Sequence, residues 1–192
     1  PLAWVLARVD IPGRRLLRAL VVLPMVLPPV VGGTALLFAL GRRGLVGQWL
    51  DAWFGLTLPF TTAGAVVAAT FVALPFYVVA VEGALRSGDD HLEQMAGTLG
   101  ARPLTVLRRI TLPRLLPAMG AGLALAWARA LGEFGATITF AGNLPGRTQT
   151  LPLATFLALE TDPEAALALS LVMLAVSLAV LVPLRDRWLP SR

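Results

Sequence analysis

Long apolar runs alternate with short arginine-bearing segments along this chain. Residues 19–41 hold no charged side chain, 23 positions between Arg18 and Arg42, and residues 52–81 give 30 more. Leu115 to Thr137 is apolar apart from Arg129 and Glu133, and Ala165 to Leu184 is free of charge for 20 positions. About 20 apolar residues in a helix cross a bilayer. The pattern therefore predicts spans over 19–41, 62–85, 115–137 and 165–184. The opening PLAWVLAR reads as the last turns of a further hydrophobic helix. The expected fold is an all-α integral membrane bundle of about five spans, in a truncated or processed chain whose first span is mostly missing. Pro24, Pro28 and Pro29 predict that the 19–41 helix is kinked or broken early, and Pro75 kinks the next one. Gly32 and Gly33 leave room for another backbone to approach.

Between these runs the sequence predicts turns and short helices. Arg8 to Arg18 forms a basic loop. Residues 41–61 are a polar-interrupted loop whose Trp49, Trp53 and Phe54 suit a membrane–water boundary. Gly-Asn and Pro-Gly pairs mark turns in 136–164, with a short helix near 153–160, at the surface or re-entrant. The longest polar interruption is His91 to Pro117, HLEQMAGTLGARPLTVLRRITLPRLLP. It reads as two short helices joined by a turn. Asp90 and Glu93 stand at capping-box spacing. Gly100 is placed for a left-handed helix end, and Pro103 for the first turn of the second helix. Leu104, Leu107 and Ile110 share one face of that helix, and Pro113 and Pro117 mark the exit into the next apolar run.

Composition agrees with the membrane reading. Of 192 residues, 57% are hydrophobic and 14% charged, against about 25% charged in soluble domains. Cysteine is absent, and all 16 basic residues are arginine. The net charge of +5 does not point to nucleic acid, because the arginines sit at the ends of apolar runs and the tryptophans flank those runs. With the His91–Pro117 side placed in the cytoplasm, twelve arginines fall inside, three outside and Arg129 in the membrane. That asymmetry is the positive-inside signature, and it puts the C-terminus inside too. His91 is the only histidine and has no neighbours for a metal site, so it is read as solvent-facing. No phosphate-binding G-x-x-x-x-G-K-[ST] loop is present. No catalytic, cofactor-binding or metal-binding residue is assigned.

The polar segment carries a resemblance. Gln94-Met95-Ala96, three residues, Gly100, nine residues, then Ile110-Thr111-Leu112-Pro113 resembles the EAA loop of ABC importer permeases. That family has Glu-Ala-Ala and Ile-any-Leu-Pro at the same spacings. Gln94 and Met95 depart from the triplet, and Glu93 supplies a carboxylate one position earlier. The Leu23–Gly33 stretch, the GRRG at 41–44 and the block from Ala128 to Glu160 resemble the molybdate and tungstate branch. Leu131 to Ala136 is shared with sulfate-type permeases.

The resemblance implies a single permease domain over residues 1–192, with a cytoplasmic docking loop at about 86–114. Glu93, Gln94, Met95, Ala96, Gly100, Ile110, Leu112 and Pro113 would meet the ATPase. It further implies a second permease copy, separate ABC ATPase subunits that hold ATP and magnesium, and an extracytoplasmic oxyanion-binding protein. This chain would bind no cofactor itself. Its cargo would be molybdate or tungstate, with a sulfate or thiosulfate permease as the alternative. Arg129 and Glu133 are candidate pathway residues. Four apart, they are read either as an intrahelical ion pair or as groups that help an anion pass. Two other classes compete. An intramembrane enzyme would need a nucleophile with a base, or a metal cluster, and the spans hold neither histidine nor aspartate. An ion-coupled transporter places several acids at mid-membrane, where only Glu133 is expected.

Overall fold

In a computed structural model, residues 1–88 and 91–188 are described. Every regular element among them is a helix. The order is α1 (Leu2–Arg8), α2 (Arg14–Val26), α3 (Pro29–Leu40), α4 (Gly47–Phe54), α5 (Thr62–Ser87), α6 (His91–Thr98), α7 (Pro103–Val106), a π-helical turn (Leu107–Thr111), α8 (Leu112–Leu131), α9 (Gly135–Ala141), α10 (Leu151–Thr161) and α11 (Pro163–Trp188). Among the described residues, three helical stretches are long and apolar enough to cross a membrane: Thr62–Ser87, Pro103–Leu131 and Pro163–Val182.

The second of the four expected spans matches closely. Thr61 caps α5, its hydroxyl accepting the Gly64 N–H at 3.0 Å, and Pro75 sits inside without ending the helix. α5 is the central element. Its first half joins Leu36, Ala136 and Phe140 in one buried cluster through Ala68 and Val72. Its second half joins Ala3, Leu6 and Leu115 in another through Val78, Val81 and Leu85. Gly122 lets α8 lie close to α5: a Cβ there would stand 3.0 Å from that of Ala80.

The 19–41 span is not one helix. α2 ends at Val26, Leu27 is extended at φ −67° and ψ 137°, and α3 starts at Pro29. A residue before proline is driven out of the helical region, so the break falls at Pro28-Pro29 and Pro24 is tolerated within α2. α2 also begins at Arg14, which shortens the expected basic loop. The expected glycine approach is present. A Cβ on Gly33 would meet the Thr139 Cβ at 2.7 Å and the Ala136 carbonyl oxygen at 2.8 Å, and one on Gly135 would meet the Pro29 Cβ at 2.8 Å. α3 and α9 thus cross almost backbone to backbone.

Two further expectations change. The helix expected over 115–137 ends at Leu131, and a new one starts at Gly135. The second short helix of the polar segment has no exit at Pro113 or Pro117. It runs on as Pro103–Leu131, 29 residues, and the π turn precedes Pro113. Proline removes the N–H that would close an α-turn, and a widened turn is a common way to absorb that mismatch. The loop after Gly41 contains α4, where Trp49 and Trp53 stack with ring centroids 5.5 Å apart. Asp51 in α4 accepts from Arg42 Nε at 2.9 Å, and that bond raises the Arg42 pKa above its ordinary value. The short helix expected near 153–160 is α10, which lies against α11.

Candidate functional site

The polar segment leaves α5 at Ser87 and returns through α7. Asp90, the expected cap of α6, lies outside the described residues. Gly100 ends the α6 turn at φ +81°. Leu99 N–H reaches the Met95 carbonyl, and Ala101 N–H reaches that of Ala96. A Cβ on Gly100 would touch nothing within 4 Å, so the glycine serves backbone conformation rather than close packing within the chain. Pro103 is the first residue of α7, as expected.

α6 has two faces. Leu92, Met95 and Leu99 are spaced three and four apart and all point outward; Leu99 is 86% exposed. Leu104 extends this apolar surface into α7. An exposed row of large hydrophobic side chains at helical spacing is a partner surface by default. The adjoining face carries Glu93 and Ala96, both half-buried. The Thr111 hydroxyl donates to Glu93 Oε1 at 2.8 Å, and Arg8 Nη2 stands 3.8 Å from Oε2. Gln94, Gly100, Leu112 and Pro113 are exposed, and Ile110 is half-buried. The predicted docking residues therefore divide: Gln94 and Met95 face away from the chain, while Glu93 is engaged within it.

Arg129 and Glu133 meet, with Arg129 Nη2 2.6 Å from Glu133 Oε2. They do not share a helix. Arg129 lies in the last turn of α8, and Glu133 lies in the break before α9. Glu133 Oε1 accepts the Ala136 N–H at 2.7 Å. Its carboxylate thus faces the N-terminal end of α9, and the guanidinium sits at the C-terminal end of α8. Each charge occupies the helix end that favours it. Glu133 is 2% exposed, and a carboxylate so buried must be paired and hydrogen-bonded. The geometry makes this pair a corner brace between two helices.

A second buried carboxylate was missed by the sequence reading. Glu82, 7% exposed, accepts from Arg18 Nε at 3.0 Å and again from Arg18 Nη2, and from Arg86 Nε at 2.9 Å. Arg86 is four residues along α5, a spacing visible in the sequence. Arg18 is 64 residues away, and nothing local announces it. The Leu6 carbonyl near the end of α1 accepts from Arg14 Nε at 2.7 Å, Arg86 Nη2 at 3.2 Å and Arg18 Nη2 at 3.3 Å. Arginines satisfy carbonyls that a helix end leaves unpaired. Among the described residues, no group of three or more histidines, cysteines or acids is placed to hold a metal.

Comparison with known proteins bears on what this arrangement serves. The Molybdenum transport system permease protein ModB of Mycobacterium tuberculosis is 54% identical over 184 residues, 95% of this chain and 69% of that protein. The ModB protein of Escherichia coli K12 is 46% identical over 187 residues, 97% of this chain and 82% of its own. The Sulfate transport system permease protein CysT of Salmonella typhimurium is 42% identical over 181 residues, 94% and 65% respectively. The family model described as binding-protein-dependent transport system inner membrane component matches residues 1–190. With that match spanning the membrane helices and the polar segment alike, the chain belongs to this family of inner-membrane transport components and is a multi-pass transport subunit, not an enzyme.

Proposed function

We propose that the chain is the transmembrane subunit of an ATP-driven importer that carries molybdate or tungstate into the cytoplasm. The observation that carries the cargo assignment is the graded similarity. Relatives named for molybdenum transport share 45–54% identity with it, and those named for sulfate transport share 38–42%. Sulfate is the second reading, supported by the Leu131–Ala136 block shared with that branch.

In this reading the whole chain is one permease domain, and two copies form the pathway. The segment at about 86–114 and the C-terminus face the cytoplasm, an orientation supported by the arginine asymmetry. The apolar row Leu92, Met95 and Leu99 seats in an ATPase subunit that holds ATP and magnesium, with Gln94, Gly100, Ile110, Leu112 and Pro113 around it. An extracytoplasmic binding protein selects the oxyanion and hands it over. All three dianions are tetrahedral, so charge cannot separate them; size and oxygen spacing must. The permease has few polar groups at membrane depth and passes its cargo weakly, since tight binding would slow release. The Arg129–Glu133 brace shapes the corner between α8 and α9, and Arg129 lends positive potential to the path. The test is ATPase activity of the complex reconstituted with its binding protein. Molybdate or tungstate is expected to stimulate it; stimulation by sulfate alone would sink the assignment and leave the importer reading standing.

A further inference from the structure

The large apolar side chains of α6 and its end, Leu92, Met95 and Leu99, point away from the rest of the chain. Glu93 ties its inner face to the body of the chain. Glu93 Oε1 accepts the Thr111 hydroxyl at 2.8 Å, and Oε2 faces Arg8 at 3.8 Å. Thr111 is 5% exposed; it ends the π turn and directly precedes α8. Arg8 is the last residue of α1. The two oxygens of Glu93 therefore touch the ends of two different helices. Beside them lies a cavity of about 110 Å³ lined in part by Arg8, Glu93, Thr111 and Arg114, so the junction has room to change geometry. The far side of α1 is tied in turn: the Leu6 carbonyl receives three arginines, and two of these, Arg18 and Arg86, converge on Glu82 of α5.

We propose that Glu93, with Thr111 and Arg8, is a positioning latch that passes movement of α6 to α8 and α1, separately from the apolar row that binds the ATPase. Coupling between distant sites travels through contiguous bonded networks with more than one arrangement, and a hydrogen bond to a charged group is strong and directional. The π turn that Thr111 ends supplies the adjustable element, since such turns are rare and concentrate at functional sites. The inference deepens the importer reading and rests on it.

The experiment uses the complex with its ATPase and binding protein in proteoliposomes, with molybdate as the probe ion. Two quantities are read: ATPase retained on purification, and ATP hydrolysed per molybdate imported. Thr111→Val is expected to keep the ATPase and to raise the ATP cost per molybdate by roughly tenfold, the factor set by loss of one hydrogen bond to a charged group. Thr111→Ser, which keeps the hydroxyl, is expected to behave as the parent. Glu93→Gln retains an acceptor for Thr111 but loses the charge facing Arg8, and is expected to raise the ratio less. It also serves as the reading should Thr111→Val fail to fold. An unchanged ratio in the folded variants overturns the latch. So does a Thr111→Val protein that sheds its ATPase as readily as Leu99→Ala. A parent chain that binds no ATPase overturns the importer reading instead.

Discussion

The crossing of α3 and α9 and the polar segment around α6 use glycine for opposite purposes. At the crossing, Gly33 and Gly135 remove side chains so that two backbones meet, and an added Cβ would strike backbone or Cβ atoms under 3 Å away. At Gly100 an added Cβ has open space, but φ is +81°. The first region is fixed by shape and the second by conformation and a few polar ties. A transporter needs both kinds: dense crossings that move as blocks, and a lightly tethered element that a partner can push.

This contrast can be broken in order of severity. The largest loss is expected at the α8–α9 corner. Glu133→Ala strands Arg129 and uncaps α9 together, a loss of about 3–5 kcal/mol by analogy with other buried ion pairs. Thermal unfolding in detergent reads it. Glu133→Gln and Arg129→Met combined should cost less than the sum of the two, and strict additivity would mean that the side chains act independently. Gly33→Ala comes next, at about 1–3 kcal/mol of overpacking, because the obstructing atoms are backbone and Cβ rather than flexible side-chain ends. Gly100→Ala should cost about 1–2 kcal/mol from the left-handed backbone alone. It should loosen α6 locally, seen as faster amide exchange over 91–101 with the spans unchanged. A Gly100→Ala loss larger than that of Gly33→Ala would reverse the comparison. Leu99→Ala should leave stability within about 0.5 kcal/mol yet weaken ATPase binding by roughly tenfold, as truncation of an exposed anchor does.

What could be read in advance follows from what a local pattern can see. The approximate extent of α5 was legible because 30 uncharged positions lie between Asp51 and Glu82; the Thr61 cap that fixes its start appears in the structure. Gly100 and Pro103 were legible because backbone demand is written in single residues. The end of α8 was not. Glu133 reads as one more helical position in an apolar run, and only its bond to Ala136 makes it the start of a new helix. The long-range partners of two other inward-facing acids were equally invisible: Arg18 reaches Glu82 across 64 residues, and Glu93 meets Thr111 and Arg8. The break in the 19–41 run was legible in Pro24, Pro28 and Pro29; hydrophobic counting alone registers the absence of charge and not the extended Leu27 that precedes Pro28. The outward row of Leu92, Met95 and Leu99 could have been found from its spacing, and Met95, a departure from the family triplet, is part of it.

The unbroken run from Pro103 to Leu131 has a mechanical consequence. Twenty-nine helical residues make a rod of about 43 Å. Such a rod turning about Gly122 is a lever: a tilt of about 10° moves the α7 end by about 5 Å and the Arg129 end by about 2 Å, by the lengths that the helical rise implies. The π turn is a soft collar close to the driven end, and the glycine contact at Gly122 is a bearing about two thirds of the way along. Stroke at the far end is then the driven movement scaled by where the bearing sits. Shifting the small residue that forms it by one helical turn would change the gearing of the machine without touching either end.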